Sequence, residues 1–275
     1  MYSYLQAVRI PVLSGCNTLR VLITLLLICL SCSAALAAPF DESKALLEKG
    51  FYPQAITLLK KELNRSSLKP NVKAKGQFLL AMAYAGNRQW SLAEEEAMSA
   101  LQQLQNQNDI AANLFSLLGT IHEGLNHQDL AIEAYIMAIQ VDPNPSSERF
   151  MTLAEAFQRN RQLELALDCL QQGIQYFKLD HGLHNLALSL EIKLMRYPSA
   201  LVRTQYLIKQ GQRPIHWYLR QGEVHQKQRN FEAATASYKQ AKALYLALPT
   251  QQKASSYMKL LGQTINQRIQ IASSF

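Results

Sequence analysis

The sequence predicts an all-α solenoid, a stack of helix–turn–helix units preceded by a separate leader. Two observations predict the fold, and a third sets the leader apart. Ala, Leu and Gln, all helix formers, dominate the 275 residues. Eleven Gly and nine Pro are too few for an all-β chain, in which turn signals recur about every 8–12 residues. Alanines then recur at a nearly constant interval: Ala55, Ala93, Ala131, Ala166, Ala200 and Ala234 lie 38, 38, 35, 34 and 34 residues apart. Intervals of this length mark repeat architectures. Thirdly, the first forty residues carry no acid and end in an uncharged run. With 48% hydrophobic and 17% charged residues, the composition suits a packed core and excludes a disordered chain.

The leader has three parts. Arg9 and Arg20 form a basic flank, Val21–Ala38 is an uncharged apolar run, and small residues crowd its end. This is the build of a secretory signal peptide over 1–37, cut after Ala35-Leu36-Ala37 to leave Ala38 first. Two alternatives stay open. An uncut stretch of about 18 apolar residues is long enough to anchor in a membrane, and Cys32 after Leu30-Ser31 is a candidate lipidation site. Of the four cysteines, Cys16, Cys29 and Cys32 fall in the leader. Cys169 alone remains, on an apolar helical pattern, so the mature chain forms no internal disulfide and is held by its core.

Each alanine occupies the same place in a unit. The clearest unit, 113–143, reads Phe115, Leu118-Gly119, His122, Ala131, Tyr135, Ala138 and Pro143. The last reads Tyr218, Gly222, His225, Ala234, Tyr238 and Ala241. The unit at 74–107 carries Leu80-Ala81, Tyr84, Ala93, Ala97 and Ala100, and that at 147–180 carries Phe150, Leu153-Ala154, Phe157, Ala166, Leu170 and Gly173. This pattern resembles the tetratricopeptide-repeat (TPR) consensus, with Phe for Trp and His for the first Tyr in the clearest unit. Around Ala200 the pattern is degenerate, since Glu191 and Thr204 stand where aromatics are usual. Around Ala55 the first helix is shortened to about Glu42–Lys49.

The resemblance implies about six helix pairs over 38–248, each touching only its neighbours. The longer first two intervals place extra residues in the polar loops Asn64–Pro70 and Gln105–Asp109. Beyond Pro249, Tyr257, Leu260, Leu261, Ile265 and Ile269 recur at helical spacing. They predict one long amphipathic helix over Gln251–Ala272, so that 249–275 covers the end of the stack. The alternative is that its stripe is a docking or dimerisation face.

TPR stacks bind through the concave surface lined by the first helix of each unit. The resemblance places Phe78 and Met82, Ser116 and Thr120, Met151 and Glu155, Asn185 and Ser189, and Leu219 and Glu223 on that surface. This mixed groove suits an extended or helical peptide. It does not reproduce the basic and amide clamp by which some TPR domains hold acidic C-termini of heat-shock proteins.

Removing Arg9 and Arg20 with the leader takes 28 basic residues to 26 against 20 acidic, a net charge of +6. Between 196 and 229 stand Arg196, Arg203, Lys209, Arg213, Arg220, Lys227 and Arg229 against Glu223 alone. Such a patch suits an acidic protein, an anionic lipid or a polyanionic glycan, or is an ordinary solvated surface. Glu94-Glu95-Glu96 reads as a solvated helix turn. No nucleic-acid-binding motif and none of the common catalytic motifs is present, which points away from nucleic acid and from an enzyme. No metal and no cofactor is expected. His122 and His225 stand at a packing position of the repeat, and His181 with His184 makes only a weak metal pair. Asn64-Arg65-Ser66 is a sequon that matters only in a eukaryotic secretory route.

Together these readings predict an exported TPR scaffold, periplasmic or outer-membrane-associated, with a protein or peptide in its groove. Envelope assembly, secretion and pilus biogenesis are the settings the resemblance implies. The alternative is a basic surface binder of anionic glycan or lipid. The leader allows membrane association, and the sequence assigns no oligomeric state.

Overall fold

A computed structural model describes residues 39–65, 68–104 and 108–275. The leader, with its cleavage site and Cys32, lies outside the described residues. Among these the chain forms six antiparallel helix pairs. They are α1 (Asp41–Glu48) with α2 (Tyr52–Leu63), α3 (Pro70–Gly86) with α4 (Trp90–Gln103), and α5 (Asn108–Gly124) with α6 (Gln128–Val141). Then come α7 (Ser147–Arg159) with α8 (Leu163–Tyr176), α9 (His181–Lys193) with α10 (Tyr197–Lys209), and α11 (Pro214–Lys227) with α12 (Phe231–Ala247). Two further helices, α13 (Thr250–Lys253) and α14 (Ser256–Ser273), follow.

The period begins in the turns. After each first helix one residue adopts a left-handed backbone: Gly50, Arg88, Asn126, Arg161, Met195 and Arg229, with φ from 58° to 75°. The next amide donates back to a carbonyl in the last helical turn at 2.7–2.9 Å, as in Phe51 to Leu46 and Arg196 to Glu191. This closes each helix end in the manner of a Schellman motif. Five residues on, in every unit, stands one of the six alanines, each fully buried. A methyl is the largest group that this crossing admits, since interiors pack without spare volume.

In the third, fifth and sixth units core volume is shared between two facing positions. Where the first helix offers Gly119 or Gly222, the second brings Tyr135 or Tyr238. A β-carbon at either glycine would lie 2.4 or 2.3 Å from the ring. In the fifth unit the equivalent positions hold Leu188 and Thr204, both fully buried. The degenerate unit is therefore packed by exchanging volume between the helices. Its other unusual residue, Glu191, is 1% exposed and accepts two hydrogen bonds from Arg203, at 2.6 and 2.9 Å. His184, at the position that is Phe150 in the fourth unit, joins them. Its Nε2 is 2.9 Å from the Lys178 carbonyl, and its Nδ1 is 3.2 Å from Arg203.

At the C-terminal end the single helix expected over Gln251–Ala272 is broken. Ser255 caps a new helix by accepting from the Met258 amide at 3.2 Å, leaving α13 as one short turn. The expected stripe also divides. Ile265 and Ala272 are buried and Leu261 and Ile269 partly so, and α14 packs against α12 with Gly262 set against Tyr245. Tyr257 and Leu260 lie on the outer face, 71% and 61% exposed. A capping helix needs one apolar face, and a helix this long carries two.

Candidate functional site

First helices of successive units touch one another, α1 with α3, α3 with α5 and α7 with α9, whereas second helices approach one another less closely. The stack thus curves with its first helices inside. Side chains at equivalent positions on these helices line the inner side of the stack.

At its N-terminal end Phe78 is half-buried against the core, and Met82 is 38% exposed. In the middle, Asn113, Ser116 and Thr120 on α5 and Arg149 at the start of α7 line a cavity of about 320 Å³. The guanidinium is held on every side. Its Nε donates to Asp142 at 2.7 Å, and its terminal nitrogens donate to Ser116 at 2.5 Å, Asn113 at 2.9 Å and the Ala112 carbonyl at 3.3 Å. Thr120 lies 3.3 Å from the Tyr135 hydroxyl, which burial pushes up to about 12, so the phenol stays protonated. Arg159 crosses to Glu123 in the same way and lies 3.9 Å from Glu155, a residue of its own helix.

The C-terminal end repeats this arrangement. His216 is 2.9 Å from the Asn185 side-chain amide oxygen, and burial first, then Arg220, His181 and Arg213, holds its pKa below the ordinary value. As a neutral ring it donates through Nε2. Arg220 donates to Ser189 at 2.9 Å and to Glu223 at 2.5 Å. Met151 and Leu219 pack partly into the core and offer only an edge to the groove.

The predicted groove residues therefore sit on the first helices, but the side chains joining neighbouring units were missed. Arg149, Arg159, Arg220 and His216 each bond a residue 31 to 36 positions earlier. Their signal was one of interval, a basic or imidazole group one repeat beyond a polar groove residue. These contacts hold neighbouring units at fixed spacing and leave hydroxyl and amide groups lining the groove. Such a surface can bond a peptide backbone and seat apolar side chains at the Phe78–Met82 end.

The expected basic patch is divided. Arg203, 12% exposed, pairs with Glu191, Arg196 pairs with Glu164 at 2.5 Å, and Arg220 lies in the groove with Glu223. Glu164 and Glu191 come from outside 196–229, so counting charge within that window overstated it. Lys209, Arg213, Lys227 and Arg229 remain exposed. His184 uses both ring nitrogens on Lys178 and Arg203, which removes it as a metal ligand with His181. Among the described residues no three His, Cys, Asp or Glu side chains are placed to hold a metal. The Cys169 thiol is buried and pushed up to about 12, leaving it unreactive.

Many solved structures share this architecture. The C-terminal part of a TPR repeat-containing protein from Cytophaga hutchinsonii superposes with a TM-score of 0.61 at 15% identity, covering 84% of this chain and 93% of that one. A tetratricopeptide repeat protein from Parabacteroides merdae gives 0.52 at 15% identity, with 86% and 97% covered. PilF from Pseudomonas aeruginosa gives 0.52 at 17% identity, with 83% and 95% covered. No protein-family model matches the chain, and no curated protein does. The fold is the TPR solenoid, with α14 at its C-terminal end.

Proposed function

We propose that this protein is an exported, non-catalytic scaffold that holds a segment of a partner protein along its first-helix groove, in envelope assembly, secretion or pilus biogenesis. The observation that carries the reading is the groove itself. Its spacing is fixed in advance by Arg149, Arg159 and Arg220, so a peptide meets an ordered surface and little conformational freedom is lost on binding. Pairing of Arg196, Arg203 and Arg220 within the chain weakens the alternative of an anionic surface binder. Export is supported by the leader, whose cut end is expected at Ala38.

Affinity capture from envelope extract tests the groove. A single protein retained at high salt, and lost on Thr120→Arg and Ser189→Arg, supports it. Retention of mixed anionic material at low salt only would point to the basic surface instead. The mass of the N-terminal peptide from the envelope fraction tests export, and an intact Met1 there would contradict cleavage.

A further inference from the structure

The outer face of the stack is chemically divided. The second helices of units two to four, α4, α6 and α8, contain seven acidic residues and no Lys or Arg. Their exposed stripes are in register. Leu92, Leu130 and Leu165 occupy one repeat position, 42%, 46% and 48% exposed. Three residues on, each helix shows an exposed carboxylate: Glu95, Glu133 and Asp168. None of these three forms an ion pair among the described residues. The equivalent positions in the other units are Gln54 and Thr57, Ser199 and Val202, and Ala233 and Ala236, so the ladder is confined to the middle of the stack. Between α6 and α8 it opens into a cleft of about 350 Å³ floored by Phe150, Leu153 and Phe157, with Leu165 and Asp168 among the residues lining it.

The complementary surface is on the same molecule, at its far end. Helix α14 contains Lys259 and Arg268 and no acid, and α13 adds Lys253. The outer face of α14 exposes Tyr257, Leu260 and Ile271, by 71%, 61% and 39%. At 18 residues α14 is about 27 Å long. Packed against α12, it is two units away from its own α8 and cannot fold back onto the ladder.

We propose that the outer face of α14 docks on the leucine–carboxylate ladder of a second copy of this chain, with Leu260 or Tyr257 entering the α6–α8 cleft and Lys259 facing Glu133 and Asp168. The contact joins unlike surfaces, so it propagates head to tail as a ring or an open chain. It leaves every groove on the inner side free.

Sedimentation of the full chain over a range of concentrations tests this. Mass is expected to rise with concentration at about 0.01 M salt and fall to that of a monomer at about 1 M, where the screening length drops from ~30 to ~3 Å. The variants E133K/D168K and K259E/L260E change only exposed side chains. Each should remain monomeric at low salt with an unchanged helical spectrum, because each has lost one of the two surfaces. Mixed together they retain one good surface apiece and should form a one-to-one dimer that grows no further. A parent that stays monomeric at low salt overturns the proposal. So do variants that associate as the parent does, or a mixture that stays monomeric.

Discussion

In the third unit Gly119 leaves room for the Tyr135 ring, and the contact between the two helices is a tyrosine laid on bare backbone. In the fifth, Leu188 and Thr204 occupy those positions, and a Glu191–Arg203–His184 network stands where the third unit has His122, Ala134 and Phe115. Both units nevertheless have the same left-handed turn and the same buried alanine, at Asn126 and Ala131 in one and at Met195 and Ala200 in the other. These two units thus share the helix crossing and a similar summed volume of facing side chains. How that volume is divided, and whether it is apolar, is open. The two solutions differ in how they fail: an apolar contact loses packing when cut, whereas a buried ion pair leaves a charge behind.

The largest effect should come from breaking the polar solution on one side. Glu191→Ala leaves the largely enclosed Arg203 guanidinium without its carboxylate partner and is expected to cost up to about 3–5 kcal/mol in urea unfolding, while Glu191→Leu with Arg203→Met should be near neutral or stabilising. If the double variant were as damaged as the single one, the network would be more than a substitute for apolar packing. Next in size is the apolar solution. Gly119→Leu drives a side chain into the Tyr135 ring and should cost about 1–3 kcal/mol or more. Adding Tyr135→Thr reproduces the Leu–Thr pair of the fifth unit and should recover most of that loss; no recovery would disprove the exchange of volume.

Acid separates the units further. Burial holds His122, His184, His216 and His225 below the ordinary histidine value. Below about 6.5 the unfolded chain takes up protons at these rings that the folded chain resists, so stability is complete above that pH and declines as pH falls through the window beneath it. The unfolding midpoint should therefore drop between neutral pH and pH 5. His184→Gln should flatten the drop, because the protonated ring would face Arg203 directly.

The smallest effect concerns what the units share. Arg161→Gly relieves a β-carbon in the left-handed region and should raise stability by about 1 kcal/mol. The same change at Met195 should do likewise, since the turn is common to both kinds of unit. A loss at either site, measured by thermal melting, would mean that the side chain there is doing something other than ending a helix.

Much of this fold was legible in advance because the alanine interval is a local signal repeated six times. The first helix, expected at about Glu42–Lys49, runs Asp41–Glu48. The groove was legible as a set of helix faces, but its joining side chains were not. Arg149 and Arg220 reach residues more than thirty positions away, and whether they meet depends on how sharply the stack curves. The turns were hidden for another reason: four of the six left-handed residues are Arg or Met, held there by helix-end hydrogen bonds that no propensity announces.

By itself, then, the sequence determined the period, the all-α class and the helices that face inward. Helical periodicity and small residues at close crossings act within one unit, and one unit is short enough to read. Tertiary structure alone decided which arginines are struts and which are free, how the fifth unit fills its core, and that α14 has a buried face and an exposed one. Those outcomes depend on what the next unit, or the end of the stack, brings within a few ångströms, and stacking geometry rather than local pattern sets that.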